Sequence, residues 1–278
     1  MKSRSLLFFV AIIITVLFAC EREYSDQRAK KGDADFPYAT GYCDGVSLGI
    51  PIADTIDYTP LSSSPLPVSF FLEMPIPGNQ GSQGSCTAWA TVYAAGTYYI
   101  HQTTGKAYSD TGNLSPKFTY NQITKGDCRC TSFLDHVYLL KTYGACSLGT
   151  MPYDPKECLI QPDSIQFDSA RRYKINGWEK VNLHNLTEIK RAITEKHPVL
   201  FAIKIDDGFN HLRSPFIWKE IIGQTGLPHA LVITGYDDNK NCFRFMNSWS
   251  TEWGDGGFGW IEYNFFLRNV LKNGYIII

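Results

Sequence analysis

The chain has 278 residues and a formal net charge of −1, from 26 Lys and Arg against 27 Asp and Glu. That balance offers no electrostatic basis for binding nucleic acid. With 44% apolar, 14% aromatic and only 19% charged residues, the sequence holds ample core-forming material and excludes a globally disordered chain.

Lys2 and Arg4 precede an apolar stretch from Leu6 to Phe18. Its 13 residues are too few to span a bilayer as an ordinary helix and suit the apolar region of an export signal. Leu17-Phe18-Ala19-Cys20 closes the stretch and resembles a bacterial lipobox. Residues 1–19 are therefore expected to be a signal peptide, and Cys20 the lipidated first residue of a protein anchored in the cell envelope, at the outer membrane or cell surface. Cleavage without lipidation, giving a secreted protein, is the alternative. Residues 20–36 are polar and charged and read as a tether, and residues 37–64 as an N-terminal extension. Pro, Ser and Gly are frequent over residues 37–78, with no helical period.

Asn79-Gln80-Gly81-Ser82-Gln83-Gly84-Ser85-Cys86 sets a cysteine at the mouth of a Gly/Ser turn that opens into a helix-compatible run, Thr87–Ala95. Unpaired N–H groups and the positive end of the helix dipole favour thiolate there, which makes Cys86 a candidate nucleophile. Further on, Ser115-Pro116 reads as an N-cap with Pro at N1. Leu134, Val137, Tyr138 and Leu140 make a helical apolar face ended by Gly144. Asn185-Leu186-Thr187-Glu188 reads as a capping box for a helix through Glu195, stopped before Pro198. Strand-like runs follow at Val199–Ile203, Ala230–Thr234, Cys242–Met246 and Gly259–Tyr263.

His229 heads the second of these runs, and Asn247 ends the third. The short turn Asp237–Asn241 joins the two strands, so a hairpin would bring this histidine and its candidate orienter together. His229 follows Cys86 by 143 positions (229 − 86). Taken singly, a cysteine, a histidine and an Asn-Ser-Trp strand end are ordinary core residues; together, in this order, they point to thiol catalysis. No comparable motif surrounds His101, His136, His184, His197 or His211, which are read as non-catalytic.

Three separated motifs now carry a resemblance: Gln80 with Gly84-Ser85-Cys86; His229-Ala230 followed by Gly235-Tyr236; and Asn247-Ser248-Trp249 continuing into Trp253-Gly254-Asp255-Gly256-Gly257. In order and spacing they resemble the papain-like cysteine peptidases. The resemblance covers residues 65–278 and implies an α+β, two-lobed fold, with a helical lobe bearing the nucleophile opposite an antiparallel β-barrel-like lobe. It implies Cys86 as nucleophile, His229 as base and then acid, Asn247 as orienter, Gln80 as oxyanion donor and Trp249 as the shield of the His229–Asn247 bond. A neutral orienter suits a resting thiolate–imidazolium pair. The implied activity is an endopeptidase that is a monomer, acts on protein or peptide substrates, meets a proteinaceous inhibitor, and needs no cofactor or metal. A Cys–His acyl transferase or cell-wall amidase, or an inactive binding lipoprotein, are the competing readings.

The chain departs from the family at Thr87, commonly Trp, and at Gln83, commonly the cysteine of a disulfide that braces the nucleophile loop. Cys128-Arg129-Cys130-Thr131-Ser132-Phe133 stands where paired glycines would bond an extended substrate, and the helical propeptide of the family's latent forms has no counterpart over residues 37–78. Apart from Cys20 and Cys86 there remain Cys43, Cys128, Cys130, Cys146, Cys158 and Cys242, an even set that suggests disulfides with 15 connectivities. A zinc site from Cys128, Cys130, Cys146 and Cys158 is the competitor, and family position favours Cys158 pairing with Cys128 or Cys130.

Overall fold

The computed structural model describes residues 39–45, 48 and 55–278. The expected signal peptide, Cys20 and the tether lie outside the described residues. Among the described residues two short strands, β1 (Ile56–Asp57) and β2 (Ser69–Phe71), precede the helices. The central helix begins at Cys86 with an α-helical turn, Cys86–Ala88, widens into a π-helical stretch, Trp89–Gly96, and returns to α-helix over Thr97–Thr104. All residues from Cys86 to Tyr98 are buried. A helix apolar all round belongs in the middle of a core, not on its surface.

The other helices pack around it, and their ends show where local signals were read correctly. Ser115 is extended ahead of Pro116–Thr124, with Pro at the first helical position. Its hydroxyl donates to the Met151 carbonyl at 2.7 Å, however, and does not cap the helix. Helix Phe133–Thr142 buries Leu134, Val137 and Leu140 and stops before Gly144, whose φ of 79° lies in the left-handed region. Its N-terminal capping box, Ser132 with Asp135, was not read from the sequence. Helix Leu186–Thr194 has Asn185 Oδ1 accepting from the Glu188 N–H. Glu188 Oε1 in turn accepts from the Asn182 N–H at 2.7 Å, so the return half of that expected box closes on the preceding strand.

The remaining strands are β3 (Trp178–Asn182), β4 (Val199–Asp206), β5 (Ile217–Trp218), β6 (Thr225–Asp237), β7 (Cys242–Met246), β8 (Phe258–Glu262) and β9 (Asn273–Ile277). They form one sheet in the order β1-β3-β9-β4-β6-β7-β8-β5, with β2 added on β6. The ladder is an open path, antiparallel except at its two ends, β1–β3 and β5–β8. Successive residues of the central strands point to opposite faces. Leu200, Ala202, Ala230, Val232 and Met246 therefore join the helical core around Trp89, Phe118 and Leu140. Phe201, Ile203, Leu231, Ile233 and Phe245 build a second core with Trp249, Trp253 and Phe266. Strand β2 can lie on β6 because Gly235 has no Cβ: one there would meet the Phe70 carbonyl at 2.7 Å. This two-sided sheet holds the strand bearing His229 against the helix that begins with Cys86.

Among the described residues there are two disulfides, Cys43–Cys130 and Cys128–Cys158. The reading of all six remaining cysteines as bridged needs correction. Cys146 and Cys242 are free buried thiols, the first inside the helical core, the second at the start of β7 with its Sγ donating to the Lys240 carbonyl. The four-cysteine zinc set is broken up, because three of its members are committed to disulfides.

Candidate active site

Cys86 is the first residue of its helix, with Ser85 at the N-cap position. Its side chain is fully buried, and its Sγ accepts from the N–H of Ala230 at 3.4 Å and of Gly41 at 3.1 Å. The β6–β7 hairpin forms as the turn signals require, and its register places Val232 opposite Met246. Asn247 follows β7 directly, and its Oδ1 lies 2.8 Å from His229 Nε2. The same Oδ1 accepts from the Ser248 N–H at 2.7 Å, which identifies it as oxygen. His229 Nε2 must then carry a ring proton, and in the neutral ring Nδ1 presents the lone pair. Nδ1 is buried and has no hydrogen bond among the described residues.

Trp249 packs over the imidazole with ring centroids 4.9 Å apart, and Phe209 meets it edge-on at 5.9 Å. Phe209 was not read from the sequence. It sits in the turn Asp207–Asn210, held because buried Asp206 accepts from the N–H groups of Phe209 and Ile222 and from Trp218 Nε1. The Asp206-Asp207 pair ahead of a single helical turn was the available signal.

Gln80 is also fully buried. Its Oε1 accepts from Ser248 Oγ at 2.6 Å, while its Nε2 donates to the carbonyls of Gln83 and Ala39 at 2.9 and 2.8 Å. Ser248 thus orients both partners, Asn247 through its backbone and Gln80 through its hydroxyl. The missing loop disulfide has a substitute in Tyr153. Its hydroxyl lies 2.6 Å from Ser85 Oγ, 2.9 Å from the Gln80 carbonyl and 3.0 Å from Gln83 Oε1. The expected substrate wall, lacking its glycines, still offers backbone groups: Thr131 N–H donates to the Gly41 carbonyl, and Thr131 carbonyl accepts from the Cys43 N–H, each at 3.0 Å.

Burial of Cys86 and His229 works against the expected thiolate–imidazolium pair. Burial pushes the Cys86 thiol up to about 11 against the lowering effect of the Ala230 and Gly41 N–H groups, and burial pushes His229 down to about 4 against the raising effect of Asn247.

The chain belongs to the papain family of cysteine proteases, whose family model matches residues 75–271. Among curated proteins it is similar to gamete and mating-type specific protein A of Dictyostelium discoideum, 28% identical over 65% of this chain and 38% of that one. It spans 38–61% of the length of the first three curated relatives it matches. Among solved structures it is similar to xylellain, a cysteine protease from Xylella fastidiosa, with a TM-score of 0.72 and 21% identity over 88% of this chain and 97% of that one. It is also similar to a Carica candamarcensis cysteine protease in complex with E-64, with a TM-score of 0.59 and 21% identity over 75% of this chain and 98% of that one. These two likenesses are of fold.

Proposed function

We propose that the chain is a lipid-anchored, monomeric endopeptidase of the cell envelope that hydrolyses peptide bonds in proteins. The observation that carries the catalytic reading is the hydrogen bond from His229 Nε2 to an Asn247 oxygen identified by the Ser248 N–H, which leaves the Nδ1 lone pair as a base. In the proposed reaction Nδ1 takes the Cys86 proton as Sγ attacks the substrate carbonyl carbon. Gln80 Nε2 donates to the oxygen as charge collects there. His229 then returns the proton to the departing amine, and water, deprotonated by the same nitrogen, releases the acid from the thioester. The anchoring reading rests on Leu17-Phe18-Ala19-Cys20 behind the short apolar segment.

Cys86→Ala, assayed with reductant present, is expected to abolish cleavage of a denatured protein substrate, to lose labelling by E-64, and to leave the circular dichroism spectrum unchanged. Cleavage that survives the substitution overturns the catalytic reading. A wild-type chain that takes up E-64 and transfers acyl groups to added amines without hydrolysis would be the acyl transferase instead.

A further inference from the structure

The nucleophile is covered by the chain's own N-terminal segment. Ala39 N–H donates to the Gly81 carbonyl, and the Ala39 carbonyl takes the bond from Gln80 Nε2. Gly41 N–H sits on Cys86 Sγ, and the Gly41 carbonyl accepts from Thr87 Oγ1 at 3.2 Å and from the Thr131 N–H. Tyr42 pairs with Thr131 as an isolated parallel bridge, and its ring, only 7% exposed, packs 5.1 Å from that of Phe133. The segment therefore engages the proposed oxyanion donor, the sulfur and the substrate wall at once. A Cβ at Gly41 would collide with the Gly84 carbonyl, so only glycine can pass this point. The peptide presents an N–H to the sulfur, where attack requires a carbonyl carbon, so it is not set for cleavage at Gly41.

Non-covalent plugs of this size open readily, but this one is bonded in place through Cys43 to Cys130, the residue next to Thr131. A cut in the chain after Gly45 would leave it attached. Cys43 and Cys130 are half-buried beside exposed Asp44 and Arg129, within reach of a reductant.

We propose that residues 39–43 are a pseudosubstrate plug latched in the cleft by the Cys43–Cys130 disulfide, and that a dithiol reductant switches the protein on by opening that bridge. A thiolate of the reductant attacks one sulfur to form a mixed disulfide. Its second thiol then displaces the other cysteine, so that Cys43 and Cys130 end as thiols and the reductant leaves as its disulfide. The plug is then held only by hydrogen bonds and the Tyr42 contact. Cys86, fully buried and bonded to the plug through the Gly41 N–H, gains water and substrate. Burial also disfavours charge on Cys86, so the same opening favours its thiolate. The proposal rests on Cys86 being the nucleophile.

The test measures alkylation of Cys86 by iodoacetamide, mapped by mass spectrometry, separately from peptide hydrolysis. The oxidised protein is expected to label slowly, and reduction or the double substitution Cys43→Ser/Cys130→Ser to raise the rate at least about tenfold. Cys128→Ser/Cys158→Ser should retain the dependence on reductant, which assigns the effect to the proposed latch. Gly41→Ala should label fast without reductant, because the plug can no longer seat. Equal labelling of oxidised wild type and the Cys43→Ser/Cys130→Ser protein overturns the plug, and so does fast labelling of oxidised wild type alone should that variant fail to fold. Fast labelling of an opened protein that hydrolyses no peptide leaves the plug standing and removes the peptidase reading.

Discussion

His229 and His136 are both fully buried, for different ends. His136 Nδ1 and Nε2 lie 2.7 and 2.8 Å from the hydroxyls of Thr119 and Thr131, so the ring is a neutral strut behind the wall that binds the N-terminal segment. Burial pushes it down to about 3, and His229 to about 4, from an ordinary value near 6.5. Between pH 6.5 and about 4 the unfolded chain therefore binds protons that the folded one refuses. Stability should rise with pH across that window and be lost as pH falls, by up to roughly 1 kcal/mol per pH unit for each histidine. Urea unfolding from pH 4.5 to 6.5 measures the slope. His136→Gln should flatten it, and an unchanged slope would contradict the assignment.

Three loops around the site are each tied by a side chain that reaches across to them. Tyr153 reaches the nucleophile loop, Ser248 joins the end of β7 to Gln80, and Asp206 gathers the turn that carries Phe209. Removing the Ser248 hydroxyl leaves the Gln80 amide free to turn away from the oxygen it should stabilise. Ser248→Ala is expected to lower kcat about ten- to a hundredfold with little change in KM, while reduced Cys86 labels at its former rate. Loss of labelling would mean that Ser248 holds the nucleophile itself. Tyr153→Phe deletes one buried hydroxyl from the nucleophile loop and should destabilise the fold by about 1–2 kcal/mol, read as a lower urea midpoint at unchanged m. No change would show that Gln83 and Ser85 satisfy one another without it.

At the scale of the whole molecule, a two-sided sheet presses one face on the helices and the other on a second core, and residues 39–45 cross the seam between nucleophile and wall. Among the described residues no helix is long and apolar enough to cross a membrane. If Cys20 carries the anchor, Cys20→Ser should move the protein from the detergent phase to the aqueous phase on phase partitioning, while Cys86 still reacts with a thiol probe once reduced. Wild-type protein found wholly aqueous, with its N-terminus downstream of Cys20, would make it a secreted protein.

Local chemistry made much of this legible in the sequence. Gly/Ser turn residues ahead of an apolar run mark a helix start at Cys86, and a β-branched run either side of a polar turn marks the hairpin that joins His229 to Asn247. Such signals act over a few residues, and they also placed Pro116 and Gly144 at helix ends. What depended on distant parts of the chain could be decided only by folding. Cys43 and Cys130 are 87 positions apart, and their pairing requires a segment without periodicity to lie along Thr131. Tyr153 replaces a loop disulfide across a separation that no local pattern encodes. The helix terminus and the orienting amide that favour charge on Cys86 and His229 are visible in the sequence, whereas the burial that opposes it is imposed by the tertiary structure.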